Sequence, residues 1–165
     1  MDENVTRIPL CRKDGTVRAY ALIDAADAEL VLANGPWHLA GGYAKHNDMI
    51  GKRPNRRTII TPMQRLIVGL EHGNPLIADH INRDRLDNRR SNLRVVTGAI
   101  NAQNASARHG TSQYRGVLWH PNIQKWLAYA HVDKKRFVLG WYTAELEAAA
   151  AARNFRLANM PGAID

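Results

Sequence analysis

The sequence predicts an α+β protein made of two modules, and three observations lead to that prediction. Short apolar runs with strand character are interspersed with a few helical segments along the chain. Residues 105–113 are small and polar, which is the composition of a linker. After this stretch, three runs of alternating polar and apolar residues precede an alanine-rich helix. We therefore expect a first module at residues 1–106, a linker at 107–112 and a second module at 113–165.

Turn and capping residues divide the first module into short elements. A Lys13-Asp14-Gly15 turn precedes a strand at residues 17–23, and Asp24 is a candidate N-cap for the helix that follows. The Gly41-Gly42 pair between two short runs indicates a hairpin. The other elements expected before residue 75 are a helix at 24–34, a strand at 58–60 and a helix at 62–70, with Met63, Leu66, Ile67 and Leu70 on one face.

The second module is expected to contain three strands and one helix. Residues 114–142 alternate polar and apolar side chains in three short runs, which predicts strands. Residues 143–159 are rich in alanine and predict a helix. Its apolar side chains are dense enough to pack on a sheet: Leu146, Ala149, Ala150, Ala152, Phe155 and Leu157.

The charge of the chain points to a polyanionic partner. The formal net charge is +8. Residues 1–50 contain 5 Lys and Arg against 7 Asp and Glu, residues 51–112 contain 11 against 4, and residues 113–165 contain 7 against 4. Lysine and arginine laid against phosphates release condensed counterions, so this excess favours nucleic acid as the partner. The middle segment should make the main anion contact.

Cysteine content and hydropathy exclude several classes of protein. Cys11 is the only cysteine, which excludes a disulfide framework within one chain and a thiolate-rich zinc site. No apolar run approaches the roughly 20 residues of a membrane span. Residues 1–4 lack the basic start and the apolar stretch of a signal peptide. The expectation is a cytoplasmic protein with no membrane partner.

The most informative stretch is residues 75–106. A short apolar strand at residues 76–78 delivers Asp79-His80 at its end, and a turn-rich loop follows at residues 82–90. A second strand is expected at residues 93–96. Thr97 is a natural N-cap for a helix that contains Asn101 and Asn104. Strand, loop, strand and helix in this order should bring the first turn of the helix back beside the Asp-His pair.

These residues suit the hydrolysis of a phosphodiester. A water molecule must lose a proton near neutral pH, and histidine has the unperturbed pKa for that task. Charge on the phosphate and on the leaving oxygen must be neutralised by a hard divalent cation with oxygen ligands. Asp79 offers a carboxylate and Asn101 an amide oxygen. Two protein ligands leave open positions for phosphate and water.

Three strings are distinctive in the same stretch: Asp79-His80-Ile81, Leu86-Asp87-Asn88-Arg89-Arg90-Ser91-Asn92-Leu93-Arg94 and Asn101-Ala102-Gln103-Asn104. Together they resemble the signature of HNH homing-type endonucleases. The resemblance implies a ββα-metal fold over residues 75–106 with His80 as general base. Asn92, 12 residues after His80, takes the central position that holds the loop and orients the histidine. Asp79 and Asn101 are the implied ligands of one Mg²⁺ or Mn²⁺, with Asn104 as the alternative one helical turn later.

One position departs from the family pattern. The family often has a histidine just upstream, where this chain has Met63-Gln64-Arg65-Leu66-Ile67. Gln64 cannot act as a base, so activity here can differ from the family's. Taken alone, Asn88 and Asn92 also have a simpler interpretation as turn and cap residues.

Four strings are distinctive in the second module: Tyr114-Arg115-Gly116-Val117, Lys125-Trp126-Leu127-Ala128, Leu139-Gly140-Trp141-Tyr142 and Thr143-Ala144-Glu145-Leu146-Glu147-Ala148-Ala149. Together they resemble the AP2 domain, which also occurs appended to HNH endonucleases. The resemblance implies a three-stranded antiparallel sheet in the major groove, backed by one helix. The positions of Leu118 and His120 carry Arg in the plant factors, so no target sequence transfers. Trp126 is open to core packing or to DNA contact.

The sequence thus predicts a monomeric, metal-dependent HNH endonuclease of a bacterial or phage-infected cell, which cuts one strand of double-stranded DNA at each active site. The alternative is a DNA-binding transcriptional regulator without catalytic activity, in which the first module only positions the second. The residues expected to contact DNA are Arg56, Arg57, Arg85, Arg89, Arg90, Arg94, Arg115, Trp119, Lys125, His131, Lys134 and Arg136.

The charge distribution predicts strongly salt-dependent DNA binding. Each phosphate that the chain neutralises should lower the slope of log affinity against log salt by about 0.9. We expect a slope of several units when binding to one duplex is titrated at increasing salt concentrations. A slope near zero would mean that the basic residues face solvent or another protein.

Overall fold

The computed structural model of the chain describes residues 4–104 and 111–163. The chain divides into two compact units, residues 1–98 and 99–165. Several small antiparallel sheets and few helices make up both units, so the expected mixed α+β class is confirmed. This division falls eight residues before the end of the expected first module, and the module boundary itself stays a prediction. No helix of the described residues is long and apolar enough to cross a membrane.

The first unit is built from three small sheets and short helices. Its sheets have the strand orders β1-β2, β3-β4-β5 and β6-β7, and every pairing is antiparallel. In chain order the elements are β1 (Val5–Cys11), β2 (Val17–Asp24), α1 (Ala28–Ala33), β3 (His38–Ala40), β4 (Tyr43–Ile50), β5 (Arg57–Pro62), α2 (Met63–Ile67), β6 (Ile77–His80) and β7 (Leu93–Val96).

Alternating burial along the first hairpin builds the core of this unit. Leu10 of β1 and Ile23 of β2 are fully buried, and Val31 of α1 and Met63 of α2 pack into the same cluster with Trp37. Each strand therefore turns one side inward, as the two-residue period of a strand requires. The core joins the hairpin to both helices.

Three elements of this unit differ from the sequence expectation. β1 was not predicted, because Pro9 interrupts its pattern. Proline is tolerated here since β1 is an edge strand. The helix expected at residues 24–34 is a 3-10 turn followed by the shorter α1. Asp24 makes no side-chain cap, since its carboxylate accepts from the backbone N–H of Arg90 at 2.7 Å. The helix expected at 62–70 ends at Ile67, and Gly69 follows with a positive φ of 71°.

The second unit holds a three-stranded antiparallel sheet and one long helix. The strands β8 (Val117–His120), β9 (Lys125–Val132) and β10 (Lys135–Tyr142) lie in the order β10-β9-β8. The helix α4 (Glu145–Asn159) packs on this sheet. The short α3 (Gly98–Gln103) begins at the last residue of the first unit and continues into the second.

Alanines make the contact between α4 and the sheet. Ala148 and Ala152 are fully buried, whereas Leu146 and Leu157 are 67% and 46% exposed. The expectation that both leucines pack on the sheet is therefore wrong. A Cβ placed on Gly116 would lie 3.3 Å from the Cβ of Ala152, so the helix approaches the sheet too closely for larger side chains.

Candidate active site and nucleic-acid interface

The two-stranded β6-β7 sheet carries the Asp-His pair. Antiparallel pairing places Asp79 opposite Arg94 and His80 opposite Leu93. Both members of the pair are buried, with 8% of Asp79 and 5% of His80 exposed. A buried carboxylate or imidazole is costly unless it has polar partners. The partners of these two side chains therefore define the site.

His80 is held by Asn88, a residue without any exposed surface. The Oδ1 atom of Asn88 lies 3.2 Å from Nε2 of His80, and its amide nitrogen donates to the Leu86 carbonyl at 3.2 Å. Because the second bond orients the amide, Oδ1 accepts from the imidazole. The ring hydrogen then sits on Nε2 and the lone pair on Nδ1.

The protonation state of His80 suits a base. Burial lowers the pKa of His80 below its ordinary value of 6.5 and outweighs the opposing effects of the Asn88 hydrogen bond and the Asp79 carboxylate. The imidazole is therefore neutral at pH 7. A neutral imidazole can accept a proton from water.

Asn92 fastens the loop between β6 and β7. Its Oδ1 accepts from the backbone N–H of Asn82 at 2.9 Å, and its amide nitrogen donates to the Asp87 carbonyl at 2.7 Å. Its own carbonyl accepts from the N–H of Ile81 at 2.9 Å. The sequence led us to expect that Asn92 both holds the loop and orients His80. In the structure its hydrogen bonds hold the loop, whereas the side chain that bonds to the His80 ring is Asn88. The catalytic role of Asn92 stays a prediction.

The loop is also hydrogen-bonded to β2. Leu22 donates to the Leu86 carbonyl at 2.8 Å and accepts from the N–H of Asn88 at 2.7 Å. The N-terminal hairpin therefore fixes the backbone of the residue that holds His80. This long-range pairing has no local sequence signal.

Asp79 forms an ion pair with Arg94. The Nε and Nη2 atoms of Arg94 donate to Oδ2 of Asp79 at 3.0 and 2.8 Å. The sequence expected Arg94 to contact DNA, but the guanidinium is directed at the carboxylate across the sheet. This pairing compensates the burial of Asp79.

Two further arginines expected at DNA also form ion pairs. Arg89 donates to both carboxylate oxygens of Asp87 at 2.7 Å. Arg90 donates to Asp27 with its Nη2 at 2.6 Å and its Nε at 2.9 Å. Both carboxylates are buried, so these arginines stabilise the loop and join it to the start of α1.

The other three arginines of the middle segment that the sequence expected at DNA lie at the surface. Arg56 and Arg57 are exposed at the β4-β5 connection, and Arg85 is exposed in the loop after β6. Arg85 stacks on Tyr43, with Cζ 4.7 Å from the ring centroid. The centroid of the same ring lies 6.0 Å from that of His80. Sequence reasoning missed Tyr43, because β4 is distant from the loop in the chain.

The open face of the C-terminal sheet carries a cluster of basic and aromatic side chains. His131 packs edge-on against Tyr129 with ring centroids 5.6 Å apart, and Arg136 stacks on Tyr129 at 4.5 Å. Lys125 lies exposed at the start of β9. Lys134 occupies the β9-β10 turn with a positive φ of 66°. These four expected contact residues are all exposed.

Trp119 and Arg115 have partners within the second unit, and their contact with DNA stays a prediction. Trp119 pairs across the strands with Trp126, their ring centroids 5.0 Å apart, and Trp126 packs against the α4 core. Trp119 thus shares the helix-facing side of the sheet. Arg115 donates to the carbonyls of Gln103 and, at 3.1 Å, of Ala102. Its guanidinium satisfies carbonyls at the end of α3, where orphan acceptors need a partner.

The residues expected to hold a metal divide between the two units. Asp79 belongs to the first unit, and Asn101 and Asn104 belong to the second. The part of the chain that the structure describes contains no cluster of three or more His, Cys, Asp or Glu that could hold a metal ion. One carboxylate and one amide supply oxygen donors, which fit a hard divalent cation that keeps water and substrate as its other ligands.

The ion pair at Asp87 predicts a pH-dependent contribution to stability. Hydrogen bonding from Arg89 lowers the pKa of Asp87 below 3.8. The stabilisation is therefore complete above the unfolded pKa of about 3.9 and is lost as the pH falls through the folded value. Asp87→Asn should cost about 2 kcal/mol at pH 7, and the difference from wild type should narrow below pH 4. Urea unfolding at several pH values measures it, with exposed Glu29→Gln as the control. A pH-independent difference would contradict the assignment.

Comparison with known proteins finds a family model that overlaps the site. Residues 62–103 match the family model HNH_3, described as HNH endonuclease. The matched segment begins at the end of β5 and includes β6, the loop, β7 and α3. No curated protein and no solved structure matches the chain. The match supports an HNH nuclease domain in residues 62–103 and thus an activity of nucleic-acid cleavage.

Proposed function

We propose that this chain is a metal-dependent DNA endonuclease of the HNH homing type that cuts one strand of duplex DNA at each active site. The observation that carries the proposal is the buried His80, held by Asn88 and adjacent to Asp79. The HNH match over the same residues supports it.

His80 acts as the general base of the proposed reaction. Its Nδ1 takes a proton from a water molecule, the water oxygen bonds to phosphorus and the bond between phosphorus and the 3′ oxygen breaks. The leaving 3′ oxygen takes a proton from solvent. Asn88 keeps the ring hydrogen on Nε2, so that the basic nitrogen is Nδ1 throughout.

Asp79 and Asn101 are the proposed ligands of one Mg²⁺ or Mn²⁺, with Asn104 as the alternative. Such an ion neutralises charge on the phosphate and on the leaving oxygen when bound. Arg94 orients the Asp79 carboxylate through two hydrogen bonds to Oδ2. Arg115 and the N–H of Gly162, which donates to Oε1 of Gln103 at 2.8 Å, hold the end of the helix that carries Asn101.

The second unit is the proposed DNA-binding, AP2-like module. The exposed side chains of Lys125, His131, Lys134 and Arg136 present positive charge and ring edges on one sheet. A narrow antiparallel sheet is able to enter the major groove. Phosphate contacts by Arg56, Arg57 and Arg85 of the first unit would add sequence-independent affinity. The protein is proposed to work as a monomer.

Replacing His80 tests the proposed activity. His80→Ala should reduce the nicking of a supercoiled plasmid in Mg²⁺ by about 10²- to 10⁴-fold while DNA affinity changes little. His72→Ala, an exposed histidine of the same unit, is the control and should nick as the wild type does. If His80→Ala nicks the plasmid at a rate within about threefold of wild type, His80 is not the general base. A wild-type chain that binds DNA but does not nick it in Mg²⁺ would favour the transcriptional regulator.

The metal ligands are tested by the metal concentration that gives half-maximal nicking. Asp79→Ala and Asn101→Ala should both raise this concentration, because each removes an oxygen ligand. EDTA should abolish nicking by the wild type. If Asn101→Ala has no effect and Asn104→Ala has one, the ligand lies one helical turn later, and the assignment of Asn101 is wrong.

A further inference from the structure

Tyr43 brings two cations and an imidazole together around one aromatic ring. Cζ of Arg85 lies 4.7 Å and Nζ of Lys45 lies 5.8 Å from the Tyr43 ring centroid. The ring centroid of His80 is 6.0 Å away, at an interplanar angle of 45°. Distances of this size are within the range of cation–π and aromatic contacts. Two segments of the chain therefore meet at Tyr43: β4, which carries Lys45, and the end of β6 with its following loop, which carry His80 and Arg85.

The alternation of β4 explains why Tyr43 and Lys45 face this cluster together. Residues two apart on a strand point to the same face. The intervening Ala44 is fully buried and His46 is buried on the opposite face, where its ring contacts Trp37. The core thus fixes the strand, and Tyr43 and Lys45 are left on the side of the candidate base.

The hairpin turn before β4 fixes Arg85. Its Nη1 donates to the carbonyl of Gly41 at 3.2 Å. A Cβ at Gly42 would lie only 3.4 Å from the same nitrogen, so the arginine side chain rests directly on this turn. Gly42 also has a positive φ of 81°, a conformation that favours glycine. The Gly41-Gly42 turn therefore contacts the Arg85 side chain and positions it.

The charges of this cluster are not neutralised by carboxylates. Neither Arg85 nor Lys45 forms a salt bridge with any described residue of the chain. Arg89, Arg90 and Arg94 contrast with them, since each of these pairs with a buried carboxylate. Two positive charges are therefore held beside the candidate base without an acidic partner.

We propose that Tyr43, Lys45 and Arg85 form the binding site for the scissile phosphodiester beside His80. Arg85 and Lys45 contact the phosphate oxygens. Tyr43 is the positioning residue, because its ring contacts both cations and the imidazole. This inference rests on the proposed nuclease function. It adds to that function two residues, Tyr43 and Lys45, that lie outside the segment matched by the HNH family model.

The chemistry of the reaction explains why two cations are useful here. A phosphodiester carries one negative charge, and attack by water deprotonated by His80 adds a second during the transition state. Preorganised cations stabilise developing charge more than the charge of the ground state. The planar guanidinium of Arg85 matches two phosphate oxygens, and the ammonium of Lys45 adds a point charge.

Single-turnover cleavage at saturating DNA separates this role from general affinity. Arg85→Gln should lower the cleavage rate constant by about 10²-fold, as removal of one transition-state donor does. Lys45→Gln should also lower it. Tyr43→Leu should lower it while Tyr43→Phe keeps the ring and most of the rate. The matched control is Arg7→Gln, which removes the same charge from another arginine that stacks on a tyrosine. Cζ of Arg7 lies 4.9 Å from the ring centroid of Tyr20 in the β1-β2 hairpin.

A neutral methylphosphonate at the mapped cleavage position tests contact with the phosphate itself. In EDTA, wild type and Arg7→Gln should lose affinity when this linkage replaces the phosphate. The Arg85→Gln, Lys45→Gln double variant should bind both duplexes equally, because the contact is already missing. Such coupling would not arise from a structural role alone.

The outcomes distinguish this inference from the proposed function. If the wild type cleaves DNA and the Arg85 and Lys45 variants cleave at the rate of Arg7→Gln, the proposed phosphate-binding site is wrong. The proposed nuclease function is then unaffected. Equal losses on methylphosphonate DNA in the wild type and the double variant would also overturn the binding site alone. A wild-type chain that does not cleave overturns both.

Discussion

The hydrogen bond between Asn88 and His80 is the interaction on which the candidate site depends. Asn88 has no exposed surface, and its backbone N–H bonds to β2 while its side chain bonds to the imidazole. Without this partner Nε2 of the buried imidazole would lack its hydrogen bond to Asn88. A buried polar group left without a partner costs about 1–3 kcal/mol of stability. The N-terminal hairpin and the loop after β6 therefore act together to fix one ring nitrogen. Asn92 supports the same loop through bonds to Asn82 and Asp87.

Formal charge is an incomplete guide to the DNA interface of this protein. The middle segment carries most of the excess charge, yet Arg89, Arg90 and Arg94 are engaged with carboxylates that are almost entirely buried. Removing such a cation would leave a buried charge unpaired, which is strongly destabilising. Arg85, which forms no salt bridge with a described residue, therefore contributes to the positive charge at the surface of the loop, and Lys45 of β4 lies near the same Tyr43 ring.

Local patterns predicted much of the fold but few of the contacts around the site. The sequence predicted β6, β7 and the helix after Thr97, because turn residues and apolar runs mark them within a short stretch. It placed Asp79-His80 at the end of a strand, as the structure does. It missed the contact between Tyr43 and His80 and the bonds of Leu22 to the loop, since both join residues far apart in the chain. The packing of α4 through alanines instead of Leu146 depends on the close approach of Gly116, which periodicity does not reveal.

The most direct test of the account is the tautomer of His80 at neutral pH, measured by ¹⁵N NMR of imidazole-labelled protein without added metal. The account predicts a neutral ring with a protonated Nε2 and an unprotonated Nδ1. Asn88→Ala should disturb this state, while the ¹⁵N signals of exposed His72 should be the same in both proteins. A His80 ring that is protonated on Nδ1, or that keeps its tautomer when Asn88 is replaced, would contradict the account.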